Sequence, residues 1–400
     1  MALIVQKFGG SSVADADKIF NVARRVTNTY KEGNEVVVVV SAMGDTTDDL
    51  IEKANEINPN ASKREMDMLL STGEQITISL LAMAIEKMGF PVVSLTGWQI
   101  GMHTDSSYSN ARIKTVDTER MQLELDKKRI VIVAGFQGIN KNDDITTLGR
   151  GGSDTTAVAL AAVLHADLCE IYTDVDGVYS ADPRIVKNAK KMESISYDEM
   201  LELASLGANV LHNRSVERAK KYNVKLAVRS SFTENEGTDV REVKDMEKMM
   251  VKGVSRDNDV ARIALIGLED RPGVAFKIFS LLAKNKINVD IILQSIGRNG
   301  KKDISFTVSR GNMEKAAEIL EAAEMLDFER IEHSTDVSKV SIVGAGMVNN
   351  PGVASKMFEA LYDANINIHM ISTSEIKISV LIDEKDAEKA VVAIHDKFNI

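Results

Sequence analysis

The stretch Gly149-Arg150-Gly151-Gly152-Ser153-Asp154-Thr155-Thr156 runs directly into Ala157-Val158-Ala159-Leu160-Ala161-Ala162-Val163-Leu164. A glycine-rich loop opening onto an apolar helical run puts unpaired backbone N–H groups and the positive end of the helix dipole at one point. Arg150 can fork onto a carboxylate or phosphate, and Asp154 can hold a cation or an ammonium. The loop therefore suits a site that handles an anion and an amine together. A second glycine loop, Lys7-Phe8-Gly9-Gly10-Ser11-Ser12-Val13, follows the apolar run Ala2-Leu3-Ile4-Val5 and precedes a helical pattern from Asp15. It is not a Walker A loop, because its lysine comes before the glycines. Two cradles, one with a lysine and one with an arginine, point to phosphoryl transfer, which needs positioning and charge neutralisation more than covalent help.

Around these loops the chain alternates β-branched runs with helical stretches up to about residue 235. Val36 to Val40, Val92 to Leu95, Ile130 to Ala134 and Glu170 to Thr173 read as buried parallel strands; Glu74 to Lys87 and Asp154 to His165 read as helices. This alternation predicts a doubly wound α/β domain over 1–240 with ligands off the carboxyl ends of its strands, where both glycine loops and Ser41 fall. Residues 235–250, charged and then methionine-rich (Met246, Met249, Met250), read as a linker. A second domain over 251–400 holds an internal repeat. Asp270-Arg271-Pro272-Gly273-Val274-Ala275 returns as Asn349-Asn350-Pro351-Gly352-Val353-Ala354, and the same offset aligns Ile287-Asn288 with Ile366-Asn367 and Ser295 with Ser374. Each unit reads as strand, Pro-Gly turn, amphipathic helix and strand, the opening of a small βαββαβ sandwich.

A chain of 400 residues needs more than one core. A net charge of −10, with no basic cluster among aromatics, argues against nucleic acid as a partner. Cys169 is the only cysteine, which excludes an intrachain disulfide and fits a reducing compartment. No secretory pattern opens the chain, and no apolar run is read as reaching the roughly 20 residues of a membrane span. A cytoplasmic protein with no membrane partner is expected.

Taken together, Lys7 to Val13, Ser71-Thr72-Gly73-Glu74, Gly149 to Thr155, and Thr173-Asp174-Val175-Asp176-Gly177-Val178-Tyr179 with Asp182-Pro183-Arg184 resemble aspartate kinase, and the repeat resembles the tandem ACT modules of those enzymes. The resemblance implies an amino-acid kinase fold and two ferredoxin-like ACT modules. The first module covers about 262–335, and the second about 337–400, completed by a strand from 251–259. It also implies transfer of phosphate from ATP, with Mg²⁺, to the β-carboxylate of aspartate. No dinucleotide-binding Gly-x-Gly-x-x-Gly follows the second repeat, so no fused dehydrogenase is expected.

By the resemblance, Lys7 and Asp154 are catalytic, and Gly9, Gly10 and Gly152 bind phosphate. Ser41, Thr47, Glu74, Arg150 and Ser153 hold aspartate, with Glu74 on its ammonium and Arg150 on its α-carboxylate. Thr173, Asp174, Tyr179 and Arg184 form the nucleotide pocket. Asp270, Gly273, Val274, Ala275, Asp290, Gln294 and Ser295 bind an effector, lysine and/or threonine, with Asp290 taking the effector ammonium. A homodimer or homotetramer through the ACT modules is expected, and no metal ligands are assigned. Plainer readings stand beside these: Asp154 as a helix cap, Glu74 as a glutamate at a helix start, Asp176-Gly177 and the Pro-Gly pairs as turns. Asn209 stands where the family commonly has a phosphate-binding lysine. A different amino-acid kinase and a non-catalytic amino-acid sensor are the competing functions.

Overall fold

The computed structural model describes residues 1–206, 210–242, 251–345, 347 and 350–400. The readings on Asn209, Met246, Met249, Met250 and Asn349 lie outside them. Within the described residues the chain forms two compact units, one of 1–178, 191–205 and 210–242, the other of 179–190, 206 and 251–400.

The first unit is built on an eight-stranded sheet. Its order is Ser194–Ile195, Thr238–Val240, Leu226–Ser230, Leu168–Thr173, Leu3–Phe8, Glu35–Val40, Ile130–Ala134, Val92–Leu95. Every pair is parallel except Leu226–Ser230 with Thr238–Val240. Val36 to Val40 are fully buried, as a β-branched run between two parallel neighbours and two helical layers should be. The strand Leu3–Phe8 lies between Glu35–Val40 and Leu168–Thr173, so the strand order reverses there and a crevice opens at its carboxyl end. One face is covered by Ala16–Lys31 and Lys63–Lys87, which contribute Ile19, Val22, Val26, Ile78, Leu81 and Ile85 to the core.

Two elements differ from the sequence reading. Residues 238–240, placed in a linker, are a strand of the main sheet. The helix read as starting at Glu74 starts at Lys63, capped by Ser62, and runs 25 residues to Lys87. By length and composition it is apolar enough to cross a membrane, contrary to the sequence reading. Half of its most apolar stretch is buried inside the protein, and Asp67 on its buried side is fully bonded. The Asp67 carboxylate accepts from the N–H and hydroxyl of both Ser109 and Thr147 at 2.8–3.2 Å. This anchors a small second sheet that the sequence did not announce, ordered Ile113–Val116, Met102–Thr104, Gln137–Ile139, Ile145–Thr147.

The second unit contains two four-stranded antiparallel sheets. One is Ile292–Gln294, Lys301–Val308, Ala261–Glu269, Arg330–Ser334, with helices Val274–Lys284 and Met313–Glu321. The other is Gly253–Asp257, Val337–Val343, Lys377–Asp383, Met370–Thr373, with helices Val353–Asp363 and Ala387–Phe398. The strand Gly253–Asp257 pairs with Val337–Val343, so in chain order the first module is inserted in the second. In both repeats the Pro-Gly glycine is the left-handed residue before the helix, at φ 91° for Gly273 and 97° for Gly352. Residues 179–190 belong to this unit. Ala181 and Val186 share a core with Val254, Val340 and Ile394, and the Ser180 hydroxyl lies 3.0 Å from Nε2 of the buried His395.

Candidate active site

The crevice beside Leu3–Phe8 is set by what each neighbouring strand does as it ends. Lys7 is fixed by pairing with Val39 and Ile171 on either side. Its ammonium meets the Asp154 carboxylate at 2.7 Å, and both side chains are 12% exposed. Asp154 is the third residue of the helix Gly152–Val163 and not its cap, which is Gly151 in a left-handed turn. The helix dipole favours that carboxylate. Gly9 and Gly10 follow at once. A Cβ on Gly10 would stand 2.8 Å from the Ala42 carbonyl oxygen, so the close approach of the Ser41–Gly44 loop requires a glycine.

Gly149 (φ 77°) and Gly151 (φ 68°) are both left-handed and bracket Arg150, whose side chain is exposed. Gly152 and Ser153 begin the helix and are buried. Ser153 packs on Gly135, where a Cβ would come within 2.6 Å of its hydroxyl. Gly135 and Phe136 were missed by the sequence reading. Gly135 donates to Val40 O, and the left-handed Phe136 (φ 69°) receives the Leu148 N–H and lies against Gly152. Nothing in the local sequence Ala134-Gly135-Phe136 marks this role, because the partners come from distant segments.

Glu74 enters the same crevice from mid-helix. Gly73 beside it lets Ala42 pack against the helix backbone, since a Cβ there would sit 2.8 Å from Ala42 Cβ. The Glu74 carboxylate is 3% exposed; Oε1 accepts the Ala42 N–H at 3.1 Å, and Oε2 has no hydrogen-bond partner among the described residues. Burial pushes its pKa up to about 8, opposed by backbone hydrogen bonds. Ser41, whose N–H donates to Phe8 O, and Thr47, in the first turn of Thr46–Ile57, are half-buried nearby in the chain. A carboxyl held neutral by burial gains most from a cation at its unpartnered oxygen. Binding of an ammonium should therefore draw off the proton, so affinity should rise with pH up to about 8 and then level. Glu74→Gln should flatten that profile. It should also remove a loss of stability of the ligand-free protein between about pH 4.5 and 8, since only the neutral acid is favoured by folding. Ligand titrations and melting curves from pH 5.5 to 9 check both.

Thr173 and Asp174 end the strand Leu168–Thr173, with the Thr173 hydroxyl bonded to Asp174 at 2.9 Å. Tyr179 and Arg184, grouped with them by sequence, belong to the other unit, where Arg184 forks onto Asp182 at 2.8–3.2 Å. In the first repeat Gly273 precedes Val274 and Ala275, which start a helix. Asp270 pairs with Lys302 at 3.1 Å. Gln294 is exposed on the strand Ile292–Gln294, and the Ser295 hydroxyl accepts from Asp303 N–H. Asp290 already holds an ammonium: that of Lys339, at 2.6 Å, which also reaches Asp257 at 3.3 Å.

Comparison with known proteins identifies the family. Residues 2–230 match the amino acid kinase family, and 263–323 and 340–398 match an ACT domain. Aspartokinase 2 of Bacillus subtilis (strain 168) is 53% identical over 100% of this chain and 98% of its own. E. coli aspartokinase III, solved in complex with aspartate and ADP, superposes with a TM-score of 0.84 at 25% identity over the whole of both chains. The same enzyme with lysine and aspartate gives 0.77 at 25% identity, over 99% of each chain. With an amino-acid kinase unit, two ACT modules and full-length relatives of this kind, the chain belongs to the aspartokinase family.

Proposed function

We propose that this kinase transfers the γ-phosphoryl group of ATP to the β-carboxylate of aspartate, giving 4-phosphoaspartate and ADP, in the cytoplasm. An oxygen of the ionised β-carboxylate attacks phosphorus as the bond to the bridging oxygen of ADP breaks, and no proton needs to move. The observation that carries this reading is the Lys7–Asp154 ion pair at the point where strand order reverses, beside the buried Glu74 with one unpartnered oxygen. Lys7 neutralises charge on the transferring group, and the glycine turns at Gly9, Gly10 and Gly152 let the phosphates approach the backbone, the Gly152 N–H itself donating to Gly149 O at 2.9 Å. Glu74 takes the ammonium, Arg150 the α-carboxylate, and Ser41, Thr47 and Ser153 hydrogen-bond the substrate. Thr173 and Asp174, at the end of Leu168–Thr173, hold the nucleotide. Mg²⁺ would be carried on the nucleotide phosphates. ADP release measured with aspartate, glutamate and acetylglutamate as acceptors tests the assignment. Turnover should require aspartate; equal rates with glutamate would overturn it.

The ACT modules are read as the site of inhibition by lysine, alone or with threonine, and as the contact that makes a homodimer or homotetramer. Asp290 remains the effector's acid in this reading, but the effector ammonium must displace Lys339, whose side chain is 6% exposed and keeps Asp257 as its second partner. Asp290→Ala should raise the lysine inhibition constant at least about tenfold, each variant being normalised to its own uninhibited rate. Unchanged rates with lysine and threonine together at millimolar concentration would remove the regulatory reading and leave the kinase reading standing.

A further inference from the structure

One helix, Asn213–Tyr222, grips the Arg150 loop on both sides of Arg150. Its second residue, Arg214, donates from one terminal nitrogen to Leu148 O at 2.6 Å and Asn110 Oδ1 at 3.1 Å, and from the other to Ala111 O at 3.0 Å. All three acceptors are neutral. Burying a guanidinium on neutral acceptors is costly, and burial moves its pKa below the ordinary arginine value, opposed by the charges of Asp105 and Glu217. Leu148 immediately precedes the left-handed Gly149, which packs against Ser109 O and Asn110 Oδ1, so Arg214 joins that turn to the start of the loop.

On the far side of Arg150, the His212 ring lies on Gly151: a Cβ at Gly151 would stand 2.3 Å from His212 Cγ. His212 also caps the helix, its Nδ1 accepting at 3.3 Å the Arg214 N–H that donates to Asn213 Oδ1 at 2.8 Å. The loop is thus clamped at residue 148 by Arg214 and at residue 151 by His212, and Arg150 is the exposed side chain between.

We propose that His212 and Arg214 are positioning residues for aspartate recognition. They fix the two left-handed turns so that Arg150 meets the substrate carboxylate in a single orientation. The proposal rests on Arg150 being the carboxylate clamp of the proposed function.

A double-mutant cycle on the full-length protein tests it, with Arg150→Ala and Arg214→Gln alone and together, and KM measured for aspartate and for ATP. Arg214→Gln should raise the aspartate KM about tenfold and change the ATP KM less than about twofold. In the Arg150→Ala background the same substitution should add less than about twofold, because its effect is transmitted through Arg150. Arg214→Lys should be impaired in the same sense, since an ammonium cannot reach both carbonyls as the planar fork does. His212→Asn, which keeps a capping oxygen and removes the ring, should follow the same pattern. These two variants carry the cycle if melting curves show that Arg214→Gln does not fold. Independent, multiplicative effects of Arg150→Ala and Arg214→Gln, or equal rises in both KM values, would overturn the brace while leaving the clamp. An unchanged aspartate KM in Arg150→Ala alone would overturn the clamp reading and the brace with it.

Discussion

Replacing Lys7 with alanine will lower kcat by about 10²-fold or more while the protein remains folded. The expected size is that of removing one preorganised charge aimed at a transition state. Lys7 is not a mobile surface lysine. Its backbone is fixed between two parallel strands, and its ammonium sits at 2.7 Å from Asp154 in the crevice. Removing it leaves Asp154 without its partner, but that carboxylate lies in the first turn of a helix, where dipole and N–H groups favour negative charge. The double variant Lys7→Ala/Asp154→Asn takes out the pair together and separates lost chemistry from an uncompensated charge. A kcat near wild type in Lys7→Ala would assign the neutralising role to another group.

The second large effect is expected at Arg150. Arg150→Ala should raise the KM for aspartate by about 10²-fold, about 2.7 kcal/mol, and the KM for ATP far less, because one end of a bidentate carboxylate clamp is gone. Its side chain is exposed and the loop's shape comes from Gly149 and Gly151, so the melting temperature should barely move. Arg150→Lys should also be impaired, since an ammonium cannot replace the planar fork. An aspartate KM unchanged by both substitutions would sink the assignment.

The sequence was most legible where one segment carries its own reason. Val36 to Val40 can only be a strand buried on both faces, and Gly149 to Asp154 advertises a helix start by its glycines. The helix Lys63–Lys87 reads short in the sequence because its buried face up to Thr77 carries polar side chains. Asp67, Ser71, Glu74 and Thr77 occupy positions where periodicity looks for apolar side chains. Those polar residues are there for the site and for the second sheet, and only the partners, Ala42, Ser109 and Thr147, reveal it. Thr238–Val240 was lost for a similar reason: three residues with Asp239 exposed form a strand only because Leu226–Ser230 and Ser194–Ile195 flank them. The bland reading of Glu74 as a glutamate at a helix start fails with the boundary it assumed. Asp290 was visible as an acid in the right repeat, but Lys339, its partner 49 residues on, was not.

The membership of residues 179–190 in the second unit bears on how this protein can be divided. A gene cut between residues 242 and 251, where the family boundary suggests it, would not yield two self-sufficient pieces. The amino-terminal fragment would carry Ala181 and Val186 away from Val254, Val340 and Ile394, and would leave Ser180 without His395. The carboxyl-terminal fragment would present the other half of that seam to water, including the Val254 N–H that donates to Ser180 O at 2.7 Å. Apolar surface uncovered in this way is unfavourable by roughly 25 cal/mol per Å² and is a place for chains to aggregate. Such fragments belong together in one cell, where the short strap from the first can find its seat on the second.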